Sequence, residues 1–289
     1  MTGQVTPAAA AGEIAAGEIV ALERAAAVHW QAAETTTLGG WLLRADSGFT
    51  GRANSALPLG DPGMPLARAF DQVEAWYRGR GLPPMIAIPG PVGAVGGPMD
   101  ALLAARGWQL RSGPAVVMTA DAGDVAGAPA PAGVGAARAG PAGAGGPAVT
   151  FAAQPDQDWL ARYHYRGAGL PAATLRLLLS APWQAFAKVT ADGRTVAVGR
   201  LSVAAGWAGI TAVDVAPDHR RRGLGTAITR ALAAEAIRQR VSRVFLQVDE
   251  GNDAAQALYE RCGFAARHRY HYRVAPQAPA DGSPGWPAT

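Results

Sequence analysis

The chain has 289 residues, 49% of them hydrophobic and 17% charged, which is enough for one large or two ordinary domains with ample core. The single cysteine, Cys262, excludes an internal disulfide framework. No apolar run is long enough to cross a bilayer, so the expectation is a cytoplasmic protein without a membrane partner. A formal net charge of +4, carried almost wholly by arginine, is modest for this length and gives little support to a nucleic-acid partner.

Residues 1–27 read as an N-terminal arm or helix, in which Glu13, Glu18 and Glu23 interrupt any secretory apolar segment. From Trp30 the pattern firms. Gly40–Ala45 and Thr50–Leu59 read as strands, and Leu66–Arg80 as a helix with Phe70, Val73, Ala75 and Trp76 on its apolar side. Met85–Ile88 is a short buried strand, Met99–Arg106 a short helix stopped by Gly107-Trp108, and Ala115–Met118 a last strand. Residues 121–147 are almost wholly Ala, Gly and Pro and are expected to be a flexible linker. The Pro/Gly/Ala tail 276–289 is expected to be disordered.

The C-terminal half opens on a strand near Ala148–Phe151. Helical pieces follow at Asp158–Arg166 and Ala172–Leu179, with Trp159, Tyr163, His164 and Tyr165 as a possible aromatic wall. Strands Trp183–Thr190 and Thr195–Val203 are joined by a hairpin turn at Ala191-Asp-Gly193. Next comes the most informative stretch, Ile210 to Thr226. Ile210, Val213 and Val215 form a strand that Pro217 stops, and a helix begins at Leu224 with Ile228, Leu232 and Ala236 at helical spacing. Between them lie Arg220-Arg221-Arg222-Gly223-Leu224-Gly225. A helix start with uncovered amides, two glycines and three cations beside it is an anion site. It is not a P-loop, since the only lysine is Lys188, and a dinucleotide fingerprint would need glycine where Ile228 stands.

Arg243–Val248 then reads as a buried parallel strand. A second short helix starts at Asp253, with Gln256 as a possible capping-box partner, and ends at Gly263-Phe264. Asn252 and Tyr259, seven residues apart, share one side of that helix, about 10 Å apart at 1.5 Å per residue. In the last strand, Arg267–Arg273, alternation puts His268, Tyr270 and Tyr272 on one face and His271 with the arginines on the other. His268 and His271 do not face each other, no ligand set accompanies them, and no metal site is expected.

Two motifs in order, Arg220-x-x-Gly223-x-Gly225 and Asn252-x6-Tyr259-Glu-Arg-Cys-Gly263-Phe264, resemble the GNAT superfamily of N-acetyltransferases. The likeness covers about residues 148–274 by motif and 28–120 by element order. In plan it looks like a two-lobed actinobacterial group often labelled N-acetylglutamate-synthase-like. The resemblance implies an α/β fold of two lobes, each a mixed, mostly antiparallel sheet flanked by helices. Residues 28–120 would form a degenerate lobe and 148–275 the catalytic one. In the first copy, Leu59-Gly-Asp-Pro-Gly-Met-Pro65 replaces the basic turn and offers two prolines, an aspartate and no arginine. Two lobes in one chain imply a monomeric pseudo-dimer or a weak homodimer.

The same resemblance implies acetyl-CoA as cofactor and a small-molecule or peptide amine as acceptor, joined by direct attack through a tetrahedral intermediate. The pyrophosphate would lie on Arg220, Arg221, Arg222, Gly223, Leu224, Gly225 and Thr226, and the pantetheine arm along main-chain groups of Val213 to Val215. The Val215 N–H would face the oxyanion, Asn252 would touch the coenzyme, and Tyr259 would protonate the leaving sulfur. Many relatives carry a glutamate upstream on the motif strand, where Thr211 and Ala212 stand here. Asp214, Glu250 and His268 remain as candidate bases, and Asp214 serves equally well as a structural partner of the turn or its arginines. A carboxylate on the acceptor has four candidate arginines: Arg44, Arg52, Arg162 and Arg200. Loss of a competent base would leave the alternative, a non-catalytic acyl-CoA-binding regulatory protein.

Overall fold

A computed structural model describes residues 16–91, 97–128, 147–163, 170 and 174–276. In chain order the helices are α1 (Ala16–Ala27), α2 (Leu66–Arg78), α3 (Pro98–Ala105), α4 (Ala122–Gly127), α5 (Gln157–Arg162), α6 (Thr174–Leu178), α7 (Leu224–Arg238) and α8 (Asp253–Arg261). The strands are β1 (Glu34–Leu38), β2 (Trp41–Ala45), β3 (Ala56–Pro58), β4 (Met85–Pro91), β5 (Gln109–Leu110), β6 (Ala115–Asp121), β7 (Thr150–Ala152), β8 (Trp183–Ala191), β9 (Arg194–Ala204), β10 (Trp207–Val215), β11 (Arg243–Asp249) and β12 (Ala265–Val274). Among the described residues no helix is long and apolar enough to cross a membrane.

These elements gather into two compact units whose borders cut across the sequence. One unit takes Met1–Gln31, Pro89–Ala94 and Gly113–Tyr270. Its sheet runs β7-β8-β9-β10-β11-β6-β12, antiparallel except for the β10–β11 pair. A parallel pair needs a crossover, and α7 supplies it. Leu224, Ile228, Leu232 and Ala236 recur on the face that α7 buries. That helix lies close to β9 because Gly199 has no side chain, since a Cβ there would sit 2.6 Å from Ile228 Cγ2.

The other unit takes Ala32–Ile88, Val95–Ser112 and His271–Thr289. Strands β1, β2 and β3 pair antiparallel, β3 and β4 parallel, and β5 joins the end of β12 at Arg273 and Val274. Phe70, Val73 and Tyr77 of α2 and Leu103 of α3 pack with Trp41, Ile86 and Trp108 in its core. Each unit therefore holds a helix-linked parallel pair in a mixed sheet, the α/β class that the pattern of apolar residues implies.

Several expectations shift. Ala115–Met118, read as the closing strand of the first lobe, lies in β6 between β11 and β12, with Val117 opposite both Gln247 and His268. An apolar run buried on both faces needs a ladder on each side, and these two strands provide them. Residues 122–127, assigned to the linker, form α4, with Asp121 accepting from Gly123 N–H as its cap and Val125 fully buried. Most of that linker, residues 129–146, lies outside the described residues, as do His164 and Tyr165. The arm at 1–27 contains α1, whose Ile19, Leu22 and Ala25 are buried. Thr50–Leu59 is strand only over Ala56–Pro58, because Gly51–Ala53 closes into a 3-10 turn with Thr50 as its cap.

Candidate active site

Strand β10 pairs with β11 only from Ala208 to Ile210. Beyond that point its ladder with β9 carries a bulge between Thr211 and Asp214, and Ala212 takes a left-handed φ of 56°. The extra residue turns the end of the strand away from β11. Asp214 and Val215 then resume pairing with Val198 and Ala197, and Ala216 N–H donates to the Val196 carbonyl at 2.8 Å. Alternation along a strand aims the Val215 N–H and C=O the opposite way, off the β9 ladder. Its carbonyl accepts from Arg220 Nε at 3.2 Å.

The turn that follows is held open by backbone conformation. Arg221 and Gly223 both sit at positive φ, 62° and 75°. Gly223 caps α7 without any side-chain hydrogen bond, and the first intrahelical bond runs from Ala227 N–H to the Gly223 carbonyl at 2.9 Å. The amides of Leu224, Gly225 and Thr226 are left unsatisfied by the described residues. Arg220, Arg221 and Arg222 are exposed beside them, and none meets a carboxylate among the described residues. Three free donors at the positive end of a helix dipole, with three cations beside them, fit a pyrophosphate. The corresponding turn of the other unit differs: Gly63 N–H donates to Asp61 Oδ1 at 2.8 Å, so that loop satisfies its amide with its own carboxylate.

Helix α8 packs against the start of α7 at Gly225, where a Cβ would approach Leu258 Cδ1 to 2.7 Å. Asn252, not Asp253, is its cap: Asn252 Oδ1 accepts from Ala255 N–H at 3.1 Å, and Gln256 Nε2 donates to the Glu250 carbonyl at 2.8 Å. The side-chain oxygen of Asn252, the residue expected to touch the coenzyme, is thus engaged in holding the helix, which leaves its NH2 group. Tyr259 is 9% exposed and meets Phe264 edge-on at 5.8 Å. Burial, with Cys262 adding to it, pushes its phenol well above the ordinary tyrosine range.

The three candidate bases have unlike surroundings. Asp214 pairs with Arg162 of α5 at 3.5 Å, a partner outside the turn, with both side chains mostly buried. Glu250 is partly exposed and accepts from Arg269 Nη2 at 3.0 Å. His268 is fully enclosed, its Nε2 2.7 Å from Glu23 of α1. His271, expected on an opposite face, is buried as well: its Nε2 lies 2.7 Å from Asp100 Oδ1, an oxygen that also accepts from Arg273 Nε at 2.7 Å. Nothing local in the sequence signals the Asp214–Arg162 or His268–Glu23 contacts.

A family model described as "Probable histone acetyltransferase Rv0428c C-terminal" matches residues 16–273. The chain belongs to this Rv0428c C-terminal family. Its fold is that of GNAT acetyltransferases. A GCN5-related N-acetyltransferase from Kribbella flavida superimposes with a TM-score of 0.59 at 18% identity, covering 91% of this chain and 98% of that one. A tandem GNAT protein from the clavulanic acid biosynthesis pathway gives 0.58 at 18% identity, covering 83% and 79%. The "Probable histone acetyltransferase Rv0428c" of Mycobacterium tuberculosis is 45% identical over 71 residues, 25% of this chain and 23% of that protein. The "Uncharacterized N-acetyltransferase YobR" of Bacillus subtilis is 39% identical over 66 residues, 23% of this chain and 27% of that protein. The matches thus span about a quarter of each curated relative.

Proposed function

We propose that this family member transfers an acetyl group from acetyl-CoA to an amine of a small molecule or peptide. The observation that carries the reading is the start of α7, where no side chain caps the helix and the amides of Leu224, Gly225 and Thr226 lie beside three exposed arginines. It is joined directly to a strand that has parted from its parallel neighbour. When bound, the coenzyme would supply an acetyl thioester.

The chain's own residues then have these parts. The turn from Arg220 to Thr226 binds the pyrophosphate, and main-chain groups from Val213 to Val215 align the pantetheine arm. The Val215 N–H donates to the acetyl oxygen as that oxygen gains charge. Asp214 takes the proton of the attacking amine, and Tyr259, kept protonated by its burial, gives a proton to the departing sulfur. Asn252 contributes its NH2 group to the coenzyme. The two units descend from one duplicated fold, and only the C-terminal copy retains the basic turn. The naming of the M. tuberculosis relative as a probable histone acetyltransferase argues for including a lysine-rich peptide among the acceptors tried.

Thiol release measured against a panel of small amines and that peptide tests the reading, with acetyl-CoA binding followed separately by calorimetry. Turnover with at least one amine, and weaker binding in Gly223→Ala, are the expected results. Binding without turnover for any acceptor would reduce the protein to an acyl-CoA-binding regulator. No binding at all would remove the premise.

A further inference from the structure

Among its described residues, the unit built on β1 to β4 holds a guanidinium that meets no carboxylate. Arg44 of β2 is only 5% exposed. Its Nε donates to the Ser55 carbonyl at 3.2 Å and its Nη2 to Ser55 Oγ at 2.9 Å. Its own N–H donates to the Tyr77 hydroxyl at 3.2 Å, and that hydroxyl donates to the Arg44 carbonyl at 2.9 Å. Among the described residues no carboxylate reaches it, and Nη1 has no hydrogen-bond partner. Arginine cannot shed its proton, so this enclosed guanidinium carries its charge at every working pH. Of the four arginines offered by the sequence for a carboxylate, Arg162 is already paired, with Asp214.

The loop between β2 and β3 is organised around this side chain. Ser55 Oγ donates its single proton to the Gly51 carbonyl at 2.7 Å, so toward Arg44 it is an acceptor. Asn54 Oδ1 accepts from Asp46 N–H at 2.8 Å and Gly48 N–H at 3.1 Å, while its Nδ2 donates to the Thr50 carbonyl at 2.9 Å. Thr50, Asn54 and Ser55 are all buried. Tyr272 presses on the same loop: a Cβ on Gly51 would lie 2.7 Å from its ring and 3.0 Å from its hydroxyl oxygen. Packing alone would be met by an aliphatic residue at position 44, which would need none of these bonds.

We infer that Arg44 is the centre of a binding site for a small carboxylate within this unit. With Nε and one N–H of Nη2 committed to Ser55, the remaining N–H groups of Nη1 and Nη2 form an end-on pair that matches the two oxygens of a carboxylate. One unpaired cation balances one such monoanion, whereas a phosphate dianion would leave a charge over. The inference is independent of the acetyl-transfer reading, which rests on residues of the other unit.

Crystals of the full chain soaked in bromoacetate should show anomalous bromine density beside Arg44, a readout that needs no variant. Calorimetric titration with bromoacetate and propionate should saturate, and Arg44→Lys, which keeps the charge and loses the fork, should bind at least tenfold more weakly. Absence of the bromine peak overturns the inference, as does equal affinity in a folded Arg44→Lys. Inorganic phosphate binding as tightly as the carboxylates overturns the choice of ligand.

Discussion

Tyr259 and His29 are both driven by burial toward their neutral forms, with opposite consequences for pH. For Tyr259 the neutral form is the proton donor, so its proton stays available through neutral and mildly alkaline solution. Tyr259→Phe should lower kcat by about 10²-fold or more, the usual contribution of a placed acid, while calorimetric affinity for acetyl-CoA changes little. An unchanged kcat would leave Tyr259 as packing against Phe264. His29 is fully buried between Ser202, whose Oγ is 2.8 Å from Nδ1, and Phe245, whose ring centroid is 4.9 Å away. Desolvation first and the charge of Arg200 second lower its pKa from 6.5 to about 4. The unfolded chain therefore binds a proton more readily, and the stability contributed by neutral His29 is complete above pH 6.5 and is lost as pH falls toward 4. The loss amounts to roughly 3 kcal/mol at 1.36 kcal/mol per unit. Urea midpoints measured from pH 7 to pH 4 should show this slope, and His29→Gln should flatten it.

At the scale of elements, the candidate site is a bulged strand, an open turn and a helix that must lie close to the sheet. Gly199 sets that closeness. Gly199→Ala puts a methyl against Ile228 Cγ2, an atom fixed near the helix backbone, so α7 must move off β9. A cost of about 1–3 kcal/mol is expected, as for other overpacked cores, and chemical denaturation reads it directly. Much of this level was legible. Pro217 after the strand-forming Ile210, Val213 and Val215, and the glycines at 223 and 225, are local signals that place strand end and helix start to within a residue or two of the observed ones. The bulge at Ala212 was not legible, because an alanine carries no preference for the positive φ that the β9 pairing imposes on it. The α8 cap is not legible for a related reason: Asn252 and Asp253 are both good caps, and the choice depends on where β11 releases the chain.

For the whole molecule the decisive feature is that sequence halves and compact units do not coincide. Strand β6, from the N-terminal half, pairs with β11 at every position from Arg243 to Asp249 and with β12 from Ala265 to Tyr270. A fragment of residues 148–276 would leave both ladders without a partner. It should fail to fold, giving no cooperative unfolding transition and strong binding of a hydrophobic dye, whereas a chain beginning at residue 16 should unfold cooperatively. A well-folded, soluble 148–276 fragment would show that β6 is dispensable. The contact of α1 through Glu23 and His268 points the same way, since 245 residues separate the partners.

The sequence by itself determined the α/β class, the family and the strand–turn–helix that can hold an anion, because each is written in spacings of a few residues. Tertiary structure alone decided which strand closes which sheet, that Arg162 rather than the turn arginines pairs with Asp214, that His268 is sealed against Glu23, and that Arg44 meets no carboxylate among the described residues. Those outcomes depend on which distant groups share a small volume after the backbone has collapsed. Neither periodicity nor local propensity carries that information.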